Sequence, residues 1–243
     1  MDTSVPDGSV LAVFAHPDDE SLSAGGLLAA AAERGARTGV LTPTWAAVSH
    51  RADELAAAAK ALGAQEVHLL GWADSRVPDS APGRPRWCDV SVAEAVGAVV
   101  AHLREFRPDV VVTHDAYGGA TGHEDHVQTH RITALAVEAA GLADSYPDAG
   151  APWHVREVWL STHPDSTRED LGALFDRRPV FTLPDDATTH RLDVTPWLDA
   201  KVEAVLAHTS EVERGSLPAV VARMSATERA QLLGTEWYVA RSG

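Results

Sequence analysis

Two short polar clusters hold residues whose types and spacing could do chemistry. The first is His16-Pro-Asp-Asp-Glu20, directly after an apolar run, and the second is Gly122-His-Glu-Asp-His126. Asp18, Asp19 and Glu20 stand side by side and repel one another, so the first cluster asks either for a cation or for full solvation. His16 and Asp19 are three positions apart, as are His123 and His126. That spacing lets two side chains reach one ion from the same side of a turn. Two imidazoles and one carboxylate, with a position left open for water, form a recurring catalytic zinc set, and the same set suits iron(II). A thiolate site is excluded, because Cys88 is the only cysteine. His114 is the rival for the third ligand. Taken singly, each cluster also reads as a solvated acidic turn or a capped helix start.

Such clusters act together only if the fold brings them together. Short apolar runs at 9–14, 38–42, 67–70 and 109–113 read as strands, and they alternate with helical patterns at 23–34, 52–62, 92–106 and 124–140. Strands separated by helices of these lengths imply right-handed βαβ units and a Rossmann-like α/β fold, mainly parallel, with helices on both faces. Ligands of such sheets bind outside the carboxyl ends of the strands, and both clusters fall at such ends. A dinucleotide site is not expected, because HPDDE stands where its glycine fingerprint should follow the first strand. Gly25 and Gly26 come too late for a phosphate turn, and helix packing explains them. Beyond Gly141 the pattern weakens to a fifth strand at 156–161 and helices at 197–208 and 224–233, before an apolar WYVA end. The expectation is one domain over 1–243. Its core covers about 8–161, followed by a cap or edge elaboration at 162–195 and a C-terminal helical segment at 196–243.

Bulk properties narrow the partners. A net charge of −15 without any basic stretch argues against nucleic acid, since nothing is available to displace phosphate counterions. No apolar run approaches the roughly 18 residues of a membrane helix, and the N-terminal MDTSVPDGS lacks the pattern of a signal peptide. A single cysteine agrees with a cytoplasmic setting.

AHPDDESLSAGG, followed about a hundred residues later by GHEDHVQTH, resembles the PIG-L/LmbE-like family of zinc-dependent N-acetyl-sugar deacetylases. A C-terminal KVEAVLAHTSE segment is similar to a helix of that family. The resemblance implies that His16, Asp19 and His126 hold Zn2+, with Fe2+ as the alternative metal. It implies Asp18 as general base, His123 as general acid and Asp125 as the partner that orients a ligand histidine. Arg51 and Asp74 resemble family positions that touch the substrate sugar, against the plainer readings of a surface arginine and a turn aspartate. Thr121 departs from the mycothiol-type branch, which carries tyrosine there, and Tyr117 lies upstream of it. Glu211 stands where relatives often carry glutamine. The implied reaction removes an N-acetyl or other N-acyl group from a small amino sugar or glycoconjugate. The alternatives are an amidase acting on a larger thiol conjugate or acylated natural product, and a zinc-containing glycan-binding module without turnover. Glu20 reads as a helix-start charge and His208 as a helix histidine with its own partner.

Overall fold

The computed structural model describes residues 1–175 and 178–243. In chain order the described residues form β1 (Val10–Val13), α1 (Asp19–Glu33), β2 (Thr38–Thr44), α2 (His50–Ala61), β3 (Glu66–Trp72), α3 (Val92–Phe106), β4 (Val110–His114), α4 (Glu124–Ala140) and β5 (Glu157–Thr162). There follow α5 (Arg168–Leu174), β6 (His190–Asp193), α6 (Leu198–Ala207), α7 (Thr209–Arg214), α8 (Leu217–Arg223), α9 (Ala226–Leu233) and β7 (Thr235–Ser242).

The strands make one sheet in the order β3-β2-β1-β4-β5-β7-β6. From β3 to β5 every pairing is parallel, as the alternation of strand and helix requires. Fully buried β1 shows why a continuous apolar run marks such a strand. Val10 and Ala12 enter the core beneath α1, α2 and α6, whereas Leu11 and Val13 enter the core beneath α3 and α4. After β3 the chain returns across the sheet to place β4 on the other side of β1. The two motif-bearing strands thus become neighbours, with Val10 paired to Val110 and Val13 to Thr113, at the point where the winding reverses.

Three expectations change. α1 begins at Asp19 rather than Ser23, so Asp19 and Glu20 occupy its first turn, where the helix dipole favours carboxylates. The apolar WYVA end is strand β7, antiparallel to both β5 and β6 and lying between them, so the 196–243 stretch is not purely helical. The 162–195 stretch contributes α5 and the edge strand β6 to the body of the fold. Asp176 and Arg177, within that stretch, lie outside the described residues.

β7 is fastened to the middle of α1. The buried Glu236 carboxylate accepts the backbone N–H groups of Gly26 at 2.8 Å and Leu27 at 2.9 Å, the Lys201 ammonium at 2.7 Å and the Tyr238 hydroxyl at 2.8 Å. A Cβ at Gly26 would lie 2.3 Å from Val194, so the packing explanation of this glycine holds. None of the described helices is long and apolar enough to cross a membrane.

Candidate metal centre and active site

The loop after β1 and the start of α4 face each other across the β1–β4 boundary. Three side-chain atoms meet there: His16 Nδ1 to His126 Nε2 at 3.1 Å, His16 Nδ1 to an Asp19 carboxylate oxygen at 3.3 Å, and His126 Nε2 to that same oxygen at 3.2 Å. Metal–ligand bonds of about 2.0–2.1 Å put the donors of a tetrahedral site roughly 3.3 Å apart, which is the size of this triangle.

The outer nitrogen of each ring is also held. His16 Nε2 lies 3.2 Å from Asp125 Oδ2, and His126 Nδ1 lies 3.1 Å from the Gly118 carbonyl oxygen. Both partners are acceptors, so each ring places its proton outward and turns a lone pair into the triangle. Two lone pairs and a carboxylate oxygen converging at this distance make a donor set suited to a cation. The residues therefore fit a divalent metal. Gly118 has a φ of +79°, and a Cβ there would lie 3.1 Å from the His126 Cβ and 2.8 Å from Val127, so glycine is needed for its carbonyl to reach the ring.

Three other donor groupings fit less well. His16, His123 and His126 lie together, but His123 Nδ1 is taken by the Asp125 N–H at 3.1 Å. Asp19, His114 and His126 lie together, but His114 Nε2 already accepts the Ala15 N–H at 3.2 Å. Burial and the neighbouring His126 push the His114 pKa down to about 3, so this ring is a neutral wall of the site, stacked on His126 with centroids 4.0 Å apart. In the grouping of His16, Asp74, His123 and Asp125, the two aspartates are engaged elsewhere. One Asp74 oxygen accepts the N–H groups of Arg76 at 2.7 Å and Val77 at 3.1 Å, the pattern of a turn aspartate, while the other stands 3.4 Å from His16 Nε2. Asp125 accepts from the Ser75 amide and hydroxyl and from the Cys88 thiol. Burial works against the charged Asp125, but its bonds to His16 and Ser75 outweigh burial and hold its pKa well below the usual carboxylate range.

Asp18 stands beside the triangle without belonging to it. Its φ of +131° is strained for a residue with a side chain. The peptide preceding that torsion is gripped at both ends. Arg51 donates to the Pro17 carbonyl, and Glu20 accepts the Asp18 N–H at 3.0 Å. Burial, followed by the charge of Asp19, lifts the Asp18 pKa to about 7, with Arg51 opposing.

Arg51 departs from the plainer of its two readings. It is not a surface arginine, being 3% exposed, and it lines the pocket with its guanidinium already engaged by Pro17, by Glu211 and, at 3.5 Å, by Asp18. Glu20 pairs at 3.0 Å with His208 Nε2 between α6 and α7, while His208 Nδ1 is buried without a hydrogen-bond partner among the described residues.

His123 caps α4 by accepting the Asp125 N–H on Nδ1 at 3.1 Å, which leaves the proton of the neutral ring on Nε2. Burial, then His16 and His126, push its pKa down to about 4. Thr121 lines the pocket, whereas Tyr117 is 46% exposed and stacks on Phe181 with centroids 5.5 Å apart. Sequence reasoning missed Ser75 and Cys88 as the holders of Asp125. Nothing in WADS or RWCD marks residues whose only tie to the site is made across the fold.

A three-donor triangle at the winding reversal of a parallel sheet defines a class: an α/β protein able to bind one metal at its rim. Within that class, the model of the PIG-L family, described as GlcNAc-PI de-N-acetylase, matches residues 11–137, and the chain belongs to that family. A relative from Mycobacterium leprae, 1D-myo-inositol 2-acetamido-2-deoxy-alpha-D-glucopyranoside deacetylase, is 38% identical over 248 residues, covering 88% of this chain and 78% of its own length. Among solved structures, N,N'-diacetylchitobiose deacetylase from Pyrococcus horikoshii superposes with a TM-score of 0.67 at 16% identity, covering 96% of this chain and 84% of that one. GalB, the 4-carboxy-2-hydroxymuconate hydratase from Pseudomonas putida KT2440, superposes with a TM-score of 0.66 at 19% identity, covering 98% and 97%. At these identities the two structures establish the fold alone, and a hydratase on that fold means that the reaction has to be argued from the site.

Proposed function

We propose that this protein is a metal-dependent N-deacylase that hydrolyses the amide of an N-acetylated amino sugar or glycoconjugate, releasing a free amine and a carboxylate. His16, Asp19 and His126 would hold the ion, with zinc the metal best suited to two imidazoles and one carboxylate. When bound there, the metal would activate a water molecule and polarise the acyl carbonyl. The remaining steps fall to the chain's own residues. Asp18, outside the donor triangle and with a pKa near neutrality, takes the proton of the attacking water. His123 would act as acid for the departing nitrogen only as the imidazolium, a form that its pKa of about 4 makes scarce at neutral pH. Asp125 keeps His16 in the tautomer that binds metal. Asp74 and Arg76, on the polar rim, meet sugar hydroxyls, while Arg51 acts on Asp18 rather than on the sugar.

The observation that carries this function is the carboxylate of Asp18 held beside the donor triangle, which a binding module without turnover would not need. The low pKa of His123 and its bond from the Asp125 N–H favour a second division of labour. In that version His123 stays neutral and hydrogen-bonds the developing oxyanion, and Asp18 returns its proton to the nitrogen. The single cysteine and the absence of a membrane-crossing helix among the described residues are compatible with a cytoplasmic enzyme.

The test is release of primary amine from a panel of N-acetylated sugars and conjugates, by protein stripped of metal and then reloaded with zinc or iron(II). Metal-dependent release from an N-acetylglucosaminyl conjugate is the expected result. Stoichiometric metal with no release from any amide would overturn the assignment.

A further inference from the structure

Asp115, directly after β4, is a buried acid that the deacylase reading does not use. It is 4% exposed and does not line the catalytic pocket, whereas Gly119, Ala120 and Thr121, in the loop it opens, do. Its carboxylate is engaged on both oxygens. Oδ1 accepts the N–H groups of Tyr117 and Gly119, each at 3.0 Å, and Oδ2 accepts the Thr162 hydroxyl at 2.7 Å from the end of β5. The Asp115 carbonyl accepts the Gly118 N–H at 3.0 Å. Gly118 and Gly119, with φ of +79° and +66°, let three consecutive amides turn back onto one residue.

One of these amides leads to the donor triangle. The Gly119 N–H and the Gly118 carbonyl belong to the same peptide, which is trans, so they point in opposite directions. Asp115 Oδ1 holds the N–H end at 3.0 Å, and the carbonyl end accepts from His126 Nδ1 at 3.1 Å. A single peptide unit thus stands between a buried carboxylate and the ring of a proposed metal ligand. A hydrogen bond at one end of a peptide polarises the other, which makes the Gly118 oxygen a better acceptor for the ring proton. Asp125 backs His16 directly at 3.2 Å, and His126 has the same kind of backing with one peptide interposed.

We propose that Asp115 is a positioning residue: acting through the 118–119 peptide, it sets the tautomer and orientation of His126 and so the affinity of the site for metal. Thr162 completes the arrangement by fixing the second carboxylate oxygen. This inference rests on the reading of His126 as a metal ligand and not on the reaction. Without the carboxylate, the Tyr117 and Gly119 amides lose their buried acceptor, and a loop with two glycines lets the Gly118 carbonyl turn from the ring. His126 could then take its other tautomer, with a proton on Nε2, where the triangle needs a lone pair.

The experiment measures zinc affinity, by competition with a chromophoric chelator, for the protein and for Asp115→Ala, Asp115→Asn, Thr162→Val and the ligand control His126→Ala. It is paired with the absorption spectrum of each protein at saturating cobalt(II). Loss of an outer hydrogen-bond partner is expected to weaken zinc binding by about 10–100-fold in Asp115→Ala and to shift the cobalt spectrum. Asp115→Asn keeps the oxygen that accepts both amides and should restore both readouts, while Thr162→Val should weaken zinc binding to a smaller degree. A purely structural part for Asp115 would lower the melting temperature of the metal-free protein but leave native-state affinity and the cobalt spectrum as they were, and that result would overturn the inference. If Asp115→Ala does not fold, Thr162→Val decides, and unchanged affinity there overturns it. Unchanged zinc binding in His126→Ala would remove His126 from the metal site and the inference with it. Weakened binding in Asp115→Ala, rescued by Asp115→Asn, in a protein that releases no amine would retain the inference and remove the deacylase reading.

Discussion

Asp18 owes its place to a peptide clamped by two buried charges of opposite sign. Holding a non-glycine residue at a φ of +131° costs on the order of 1–3 kcal/mol, and here Arg51 and Glu20 hold it. Replacing Asp18 with Asn keeps the donor triangle, so metal content should be unchanged while turnover falls by about 10²–10⁴, measurable by metal analysis and initial rates on one preparation. A base whose pKa is about 7 works only when deprotonated. The logarithm of kcat/KM should therefore rise with pH through the neutral range and level off above it. Glu211 is among the charges that raise the Asp18 pKa, so Glu211→Gln should move that rising limb to lower pH. A limb that did not move would mean that Asp18 is not the titrating base. At this scale the sequence named residues that the fold brings together: seven of the eight candidates line one pocket, and Asp125 holds His16 from beneath it. The pairing of Arg51 with Glu211 was not legible, since Glu211 lies far along the chain and meets it only in the folded state.

The elements divide by how local their signals are. The parallel strands and their helices were readable because apolar runs and helical spacing persist over whole elements. α7 and α8 are one to two turns long and are separated by a turn at Gly215, so no period develops. β7 was hidden by Glu236 and Tyr238, which are both buried among less buried neighbours, and by partners that are distant in sequence. Once β7 is in place, the Glu236 carboxylate satisfies two α1 amides and a buried ammonium together. Its replacement by alanine leaves Lys201, 1% exposed, without its charge partner. The expected loss is about 3–5 kcal/mol, read as a lower urea midpoint at unchanged m-value. A loss below about 1 kcal/mol would mean that the carboxylate does not support the helix.

At the scale of the whole molecule, a metal held in the proposed triangle would be coupled to stability. The ion would be held by the β1–α1 loop and by α4, two segments joined only through the sheet, and a ligand bound only in the native state stabilises that state by mass action. Chelation should abolish amine release and lower the melting temperature together, and reloading should restore both. Loss of activity without any change in melting would place the metal somewhere other than this triangle.

The strand order also imposes a schedule during synthesis. Every proposed donor lies between residues 16 and 126, and β1 to β4 with their helices are translated before β5 exists. β6 emerges before β7, yet β7 lies between β6 and β5, so the far edge of the sheet must wait for the later strand. On the ribosome, an N-terminal half-sheet can therefore present its histidines and aspartates to cellular metal while the other half still lacks its seam. Nothing in the strand order ties metal capture to the closing of the sheet.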